Sequence, residues 1–246
     1  MSQKELEHVY HFVTEVENLN GDNLLKPYGY QQLFSTLAEQ HLFQIDLNVD
    51  RIKEHDLAWV LITMSLEVVR PVKGCIKLHA KTWHSARKGP YFRRELVFYH
   101  ENGDLAFQGS TFSVLLDMTK RTIYRKRELP FQVHPPWPEF VLEATPSWKN
   151  EGCFTKVETR VVRNSQIDAL GHVNNSRYGE FAYDALDQEE VQRLNRLARM
   201  DINFHSELRI GDSFAMEKAT EGNRVLLRGV HQTSGTPAFD YALTFR

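Results

Sequence analysis

The stretch Leu129–Lys149, LPFQVHPPWPEFVLEATPSWK, decides how the chain is divided. Five of the nine prolines fall within it, at Pro130, Pro135, Pro136, Pro138 and Pro146. Each fixes φ and removes a backbone donor, so neither a helix nor a central strand can run through. The reading is an extended linker over 129–149 between an amino-terminal unit, 1–128, and a carboxyl-terminal unit, 150–246.

The two flanking segments repeat one pattern. In the first, His8–Val16 is strand-like, and Tyr30, Leu33, Phe34, Leu37, Ala38, Leu42 and Ile45 recur at helical spacing. Strand-like runs follow at Leu57–Val69, Cys75–Trp83, Tyr91–His100 and Leu105–Leu116, with Gly89-Pro90 and Asn102-Gly103 as turns. In the second, Phe154–Val162 is a strand and Arg163–Val173 a loop. A helix from about Asn175 then carries Tyr178, Phe181, Ala182, Ala185 and Leu186 on one face. Strands at Met200–Leu208, Phe214–Glu221, Val225–Gln232 and Ala238–Phe245 complete it, and Ser234-Gly235 answers Asn102-Gly103. One strand, one long helix and four antiparallel strands is the order of a hotdog unit, a curled sheet wrapped around a helix. The predicted class is α+β: two tandem hotdog units forming an internal pseudo-dimer.

The chain has 246 residues, 30 Lys and Arg against 32 Asp and Glu, and a formal charge of -2. That balance excludes a bulk electrostatic nucleic-acid binder, and the length leaves room for two cores. No apolar run approaches the roughly 18 residues of a bilayer span. The amino-terminal stretch has neither a signal core nor transit-peptide character, so a cytoplasmic protein is expected. Cys75 and Cys153 alone build no disulfide framework. Neither metal-ligand spacing nor a nucleotide or cofactor motif occurs, and no metal or cofactor is expected.

The chemistry concentrates in Asp168-Ala169-Leu170-Gly171-His172-Val173-Asn174-Asn175-Ser176-Arg177-Tyr178. A carboxylate and a histidine lie just before a helix whose first N–H groups lack internal partners. Such an end can polarise a carbonyl, while Asp168 or a water it activates attacks and His172 relays a proton. Asp168 and Asn174 as plain caps and Gly171 as a turn glycine is the competing reading of the same spacing.

This segment resembles the D-x-x-x-H-V-N-N-x-x-Y motif of the acyl-acyl carrier protein (acyl-ACP) thioesterases. Trp59–Val68, Thr82-Trp83, Arg93-Arg94 and Val114–Asp117 are similar to that family's first-half signatures, in order. The resemblance runs from about Tyr10 to the carboxyl terminus and implies hydrolysis of fatty acyl-ACP, with Asp168, His172 and Glu207 as catalytic residues. It implies a carbonyl held by the N–H groups of Val173 and Asn174 and an acyl chain in the first unit. Tyr30, Phe34 and Leu37 on the helix, with Trp59, Ile62, Met64 and Phe107 on strands, are the expected lining; ordinary packing is their alternative. The acidic carrier calls for a basic surface. Lys120, Arg121, Arg125, Lys126 and Arg127 form one such cluster, Arg87-Lys88 with Arg93 and Arg94 a second. Two departures stand out: Leu170 replaces the asparagine of plant members, and Leu208 replaces their cysteine. The Leu170 form also suits acyl-CoA thioesterases, and a non-catalytic acyl-binding hotdog protein is the alternative outside enzymes. A monomer and a homodimer are both compatible with an internal pseudo-dimer.

Overall fold

The computed structural model describes residues 8–246; Met1–Glu7, the start of the first unit and of the stretch read for a leader, lie outside them. Strand β1 (Tyr10–Val13) leads to helix α1 (Pro27–Gln44), short helix α2 (Val49–Lys53) and strand β2 (Leu57–Val68). Strands β3 (Lys77–Lys88), β4 (Tyr91–His100), β5 (Leu105–Asp117) and the two-residue β6 (Thr122–Ile123) follow. The second half holds β7 (Thr155–Val161), helices α3 (Asn175–Asp184) and α4 (Gln188–Gln192), then β8 (Leu197–Phe204), β9 (Ser213–Glu221), β10 (Arg224–His231) and β11 (Pro237–Phe245).

Local chemistry sets the helix ends. Pro27 opens α1, where its missing N–H is not needed. The Asn174 side chain caps α3 by accepting the Ser176 N–H at 3.0 Å. The long second helix expected from the sequence is interrupted, because Asp187 and Glu190 form a reciprocal capping box that starts α4 anew.

The strands form one antiparallel sheet in the order β1-β3-β4-β5-β2-β8-β11-β10-β9-β7, with β6 on β5. Two hotdog units thus join edge to edge through β2 and β8, which pair from Thr63↔Asn203 to Glu67↔Arg199. Instead of two separate cores, one apolar cluster runs through both halves, from Phe34, Phe98 and Phe107 to Phe181, Phe214 and Phe239. On β2 the β5 register shifts between Leu61 and Thr63, a bulge at Ile62. The bulge changes the alternation: Trp59 and Leu61 face the same cavity as Met64, and Ile62 is turned out of it.

The residues between β6 and β7 cross the sheet as an extended strap. Backbone oxygens of Glu139, Leu142, Thr145 and Trp148 accept in turn from Trp83, Arg93, Thr63 and Asn203 at 2.6–3.0 Å. Side chains on four strands thereby satisfy a backbone that has no ladder of its own.

The loop–helix segments of the two halves share one backbone geometry. Asp168 N–H donates to His172 O, Gly171 N–H to Asp168 O, Val173 N–H to Leu208 O and Asn174 N–H to Gln166 O. The first half repeats this with Asn20 N–H to Leu24 O, Asn23 N–H to Asn20 O, Leu25 N–H to Val72 O and Lys26 N–H to Asn18 O. Tyr178 and Tyr30 hydroxyls accept from Leu208 N–H and Val72 N–H in matching positions.

Helices α1 and α3 cross closely at Gly179, where an added Cβ would lie 1.8 Å from Gln31 Oε1 and 2.9 Å from Tyr28 Cβ. Gln31 itself bridges the halves, donating to Asn175 O at 3.3 Å and accepting from the Tyr241 hydroxyl at 3.2 Å. Gly179→Val is expected to destabilise the whole chain by about 1–3 kcal/mol through overpacking at this crossing. Urea denaturation checks this, and an unchanged midpoint would show that the crossing tolerates a side chain.

Candidate active site

The loop before α3 is shaped by its own residues. Asp168 Oδ1 accepts the Leu170 N–H at 2.8 Å, and Gly171 takes a left-handed φ of +83° that tightens the turn. The turn leaves Asp168 Oδ2 3.7 Å from His172 Nδ1, an ion-pair separation, with both side chains about a quarter exposed. Asn174 is the helix cap, whereas Asp168 caps the turn and faces the histidine. The capping alternative therefore holds for Asn174 and describes only part of Asp168.

Glu207 lies beyond the end of β8, in the loop that leads to β9, not within a strand. Its Oε2 accepts from Arg121 Nη2 and Arg209 Nη2, each at 3.0 Å. Burial pushes the carboxyl up, but the Arg209 hydrogen bond and the charges of Arg121 and His172 outweigh it and hold Glu207 below its ordinary range. Arg121 is a first-half residue in a left-handed conformation, φ +54°, on the turn between β5 and β6. The three catalytic candidates are thus brought together, and the first half supplies a cation to them. A cavity of about 170 Å³ is lined by His172, Glu207, Leu170, Arg121 and Trp59.

Trp59 also lines a second cavity, of about 180 Å³, with Phe34, Leu42, Leu61 and Met64. This chamber lies in the first half and reaches Asn175 at the start of α3. Of the residues expected to line an acyl site, Phe34, Trp59 and Met64 are on its wall. Tyr30, Leu37 and Phe107 are not: they are buried in the common core, and Tyr30 anchors the Val72 backbone. Ile62 is displaced by the bulge.

Other placements correct the sequence reading. The Val173 and Asn174 N–H groups donate to Leu208 O at 2.8 Å and Gln166 O at 3.0 Å, so neither is free for a substrate carbonyl. Among the described residues, the Asn175 N–H at the head of α3 has no acceptor. Arg93 and Arg94 are not a docking surface. Strand alternation sends Arg93 to the strap side, where it binds fully buried Glu95 at 2.6 Å and Leu142 O, and Arg94 into the chamber. Lys120 pairs with Asp117 at 3.3 Å, while Arg125, Lys126 and Arg127 are exposed. Arg87 holds the carbonyls of Lys126 and Arg127, tying this segment to the end of β3.

Sequence reasoning missed Arg209 and Glu39. Glu39, on the chamber side of α1, is pushed up by burial and by the charge of Asp168. Its signal was a carboxylate interrupting the apolar run Leu37, Ala38 and Leu42.

The family model of the acyl-ACP thioesterase N-terminal domain matches residues 18–128, and that of the C-terminal domain matches 153–240. The chain belongs to the acyl-ACP thioesterase family. Members are thioester hydrolases acting on fatty acyl-ACP. No curated protein matches in sequence. Solved structures that share the fold over 97% of this chain include three thioesterases. An acyl-ACP thioesterase from Bacteroides thetaiotaomicron has 17% identity, a TM-score of 0.80 and 97% of its own chain covered. An oleoyl thioesterase from Lactobacillus plantarum has 15% identity, a TM-score of 0.77 and 96% covered. The 12:0-ACP thioesterase from Umbellularia californica has 12% identity, a TM-score of 0.76 and 97% covered. No helix among the described residues is long and apolar enough to cross a membrane.

The arginine pair sets the ionisation of Glu207. Removing either positive charge, in Arg121→Gln or Arg209→Gln, lets the Glu207 pKa rise. The acidic limb of kcat/KM for thioester hydrolysis should then move to higher pH. A limb that stays put in both variants would assign it to another group.

Proposed function

We propose that this acyl-ACP thioesterase-family chain hydrolyses its thioester with Asp168, His172 and Glu207 as the catalytic residues. The observation that carries the reading is that His172, paired with Asp168 across one turn, and Glu207 from a separate loop line one cavity, beside a wall shared with the apolar chamber. The acyl chain enters past Trp59 into the first-half chamber, and the thioester remains at the Asp168–Gly171–His172 turn. Its carbonyl oxygen is received by the Asn175 N–H at the positive end of α3 rather than by Val173 or Asn174.

Glu207, fixed by two arginines, is a weakened base and orients the attacking water through its carboxylate. Asp168 holds His172 from the Nδ1 side, and the imidazole takes the water proton and returns it to the leaving thiolate. Water's oxygen forms the new bond to the acyl carbon as the carbon–sulfur bond breaks, giving the free acid and the carrier thiol. Leu208 leaves no thiol for a covalent route at its position.

Arg125, Lys126 and Arg127, with Arg121 at the rim, give an acidic carrier a basic approach to the cavity. Replacing Arg125, Lys126 and Arg127 with Gln should lower kcat/KM on acyl-ACP by about tenfold at low salt. A small acyl thioester should be hydrolysed unchanged. Equal losses on both substrates would remove the docking role.

For the chemistry, Asp168→Asn and Glu207→Gln are each expected to lower kcat on acyl-ACP by about 10²–10⁴. Single-turnover assays at saturating substrate, with folding checked by circular dichroism, are the measurement. Near wild-type turnover in both variants would sink the mechanism.

A further inference from the structure

The chamber behind Trp59 is not uniformly apolar. Arg94 reaches into it from β4, opposite the Phe34 and Leu42 side of α1. Its Nη1 contacts His41 Nδ1 at 2.9 Å and Thr82 Oγ1 at 3.3 Å, and among the described residues it has no carboxylate partner. Glu95, next along the strand, is turned to the other face and is consumed by Arg93, Ser85 and Ser110. Glu39, the carboxylate on the chamber wall, responds to Asp168, and Arg94 is not among its partners.

The neighbours of Arg94 do not neutralise it. Burial, with the charge of Arg94 next, lowers the His41 pKa to about 3, so the imidazole is uncharged. His84, on the same wall, is lowered for the same reasons. Burial brings Arg94 down to about 10 against the opposing influence of Tyr10, which still leaves a cation at neutral pH. The guanidinium carries five N–H donors, and among the described residues its Nη1 meets acceptors while Nε and Nη2 meet none.

A hydrocarbon tail laid against this wall would leave an uncompensated cation, costly in a desolvated site. We propose that the acyl group taken into this chamber carries a hydrogen-bond-accepting oxygen remote from the thioester, received by Arg94. A carboxylate is the strongest match, because it offers a planar guanidinium two acceptors and the missing charge. The inference rests on the hydrolase reading for the placement of the thioester, and it names the substrate class of that site: carboxy- or hydroxyacyl groups ahead of plain ones.

The test uses the full chain and three acyl groups matched in length: unsubstituted, terminally hydroxylated and terminally carboxylated. Each is presented as a carrier-linked thioester for kcat/KM and as a non-hydrolysable acyl amide for calorimetric binding. Wild type is expected to favour at least one oxygenated chain over the plain chain by about tenfold or more in both readouts. Arg94→Met should reverse that preference, and Arg94→Lys should keep part of it. A wild type that favours the plain chain, or a preference that Arg94→Met leaves unchanged, overturns the proposal. Should Arg94→Met fail to fold, the wild-type panel and Arg94→Lys decide. Hydrolysis without discrimination defeats this inference and spares the hydrolase reading. Amides discriminated without hydrolysis of any thioester do the reverse.

Discussion

The antiparallel seam between β2 and β8 is the constraint on which the rest of the molecule depends. Five residue pairs, from Thr63 with Asn203 to Glu67 with Arg199, convert two curled sheets into one and force α1 against α3. The seam is reinforced on its outer face. Buried Ser65 donates to Asp201 at 2.7 Å, and Arg199 grips the same carboxylate at 2.7 and 2.9 Å. The strap then spans it, with Thr145 O on Thr63 and Trp148 O on Asn203. The cavity at His172 has walls from both halves, Trp59 and Arg121 on one side and His172 and Glu207 on the other. A slip of one residue along the seam would turn every side chain on it to the opposite face.

Charge placement follows from this framework more than from composition. A net charge near zero conceals three different uses of arginine. Arg121 and Arg209 hold one carboxylate ionised at the cavity, and Arg93 closes a fully satisfied buried pair with Glu95. Arg94 is left over inside the chamber. Arg93 and Arg94 are neighbours in sequence and opposites in environment because a strand sends successive side chains to opposite faces.

That alternation also explains what could and could not be read from the sequence. The order of elements, the turns at Asn102-Gly103 and Ser234-Gly235, and the start of α3 at Asn175 were all legible, since each depends on local pattern and capping. So was the grouping of Asp168 with His172, which a short turn enforces. Three features were not. The bulge at Ile62 has no local signature and reverses which β2 residues face inward. The two faces of Arg93 and Arg94 become distinct only when the strap covers one of them. Tyr30, Leu37 and Phe107 have the character of lining residues, yet the shared core absorbs them, because two units fused along a sheet edge bury more than either would alone.

The Val173 N–H could not serve a substrate for a reason that lies in the duplication itself. Its bond to Leu208 O has a counterpart at Leu25 and Val72, and the Asn174 bond to Gln166 O has one at Lys26 and Asn18. Both belong to the loop that each unit needs in order to start its helix, and are occupied whether or not the unit does chemistry. In the first half Asn20 stands where Asp168 does, accepting the Asp22 N–H at 3.0 Å as Asp168 accepts that of Leu170. Leu24 stands where His172 does, and is buried. The scaffold is therefore the same twice, while the titratable pair is present once. An amide removes the charge and a leucine removes the imidazole without disturbing a single backbone hydrogen bond of the loop. The first unit uses its helix–sheet interface as a chamber, and Arg121, sent across to Glu207, joins Trp59 in the wall that it gives to the other cavity.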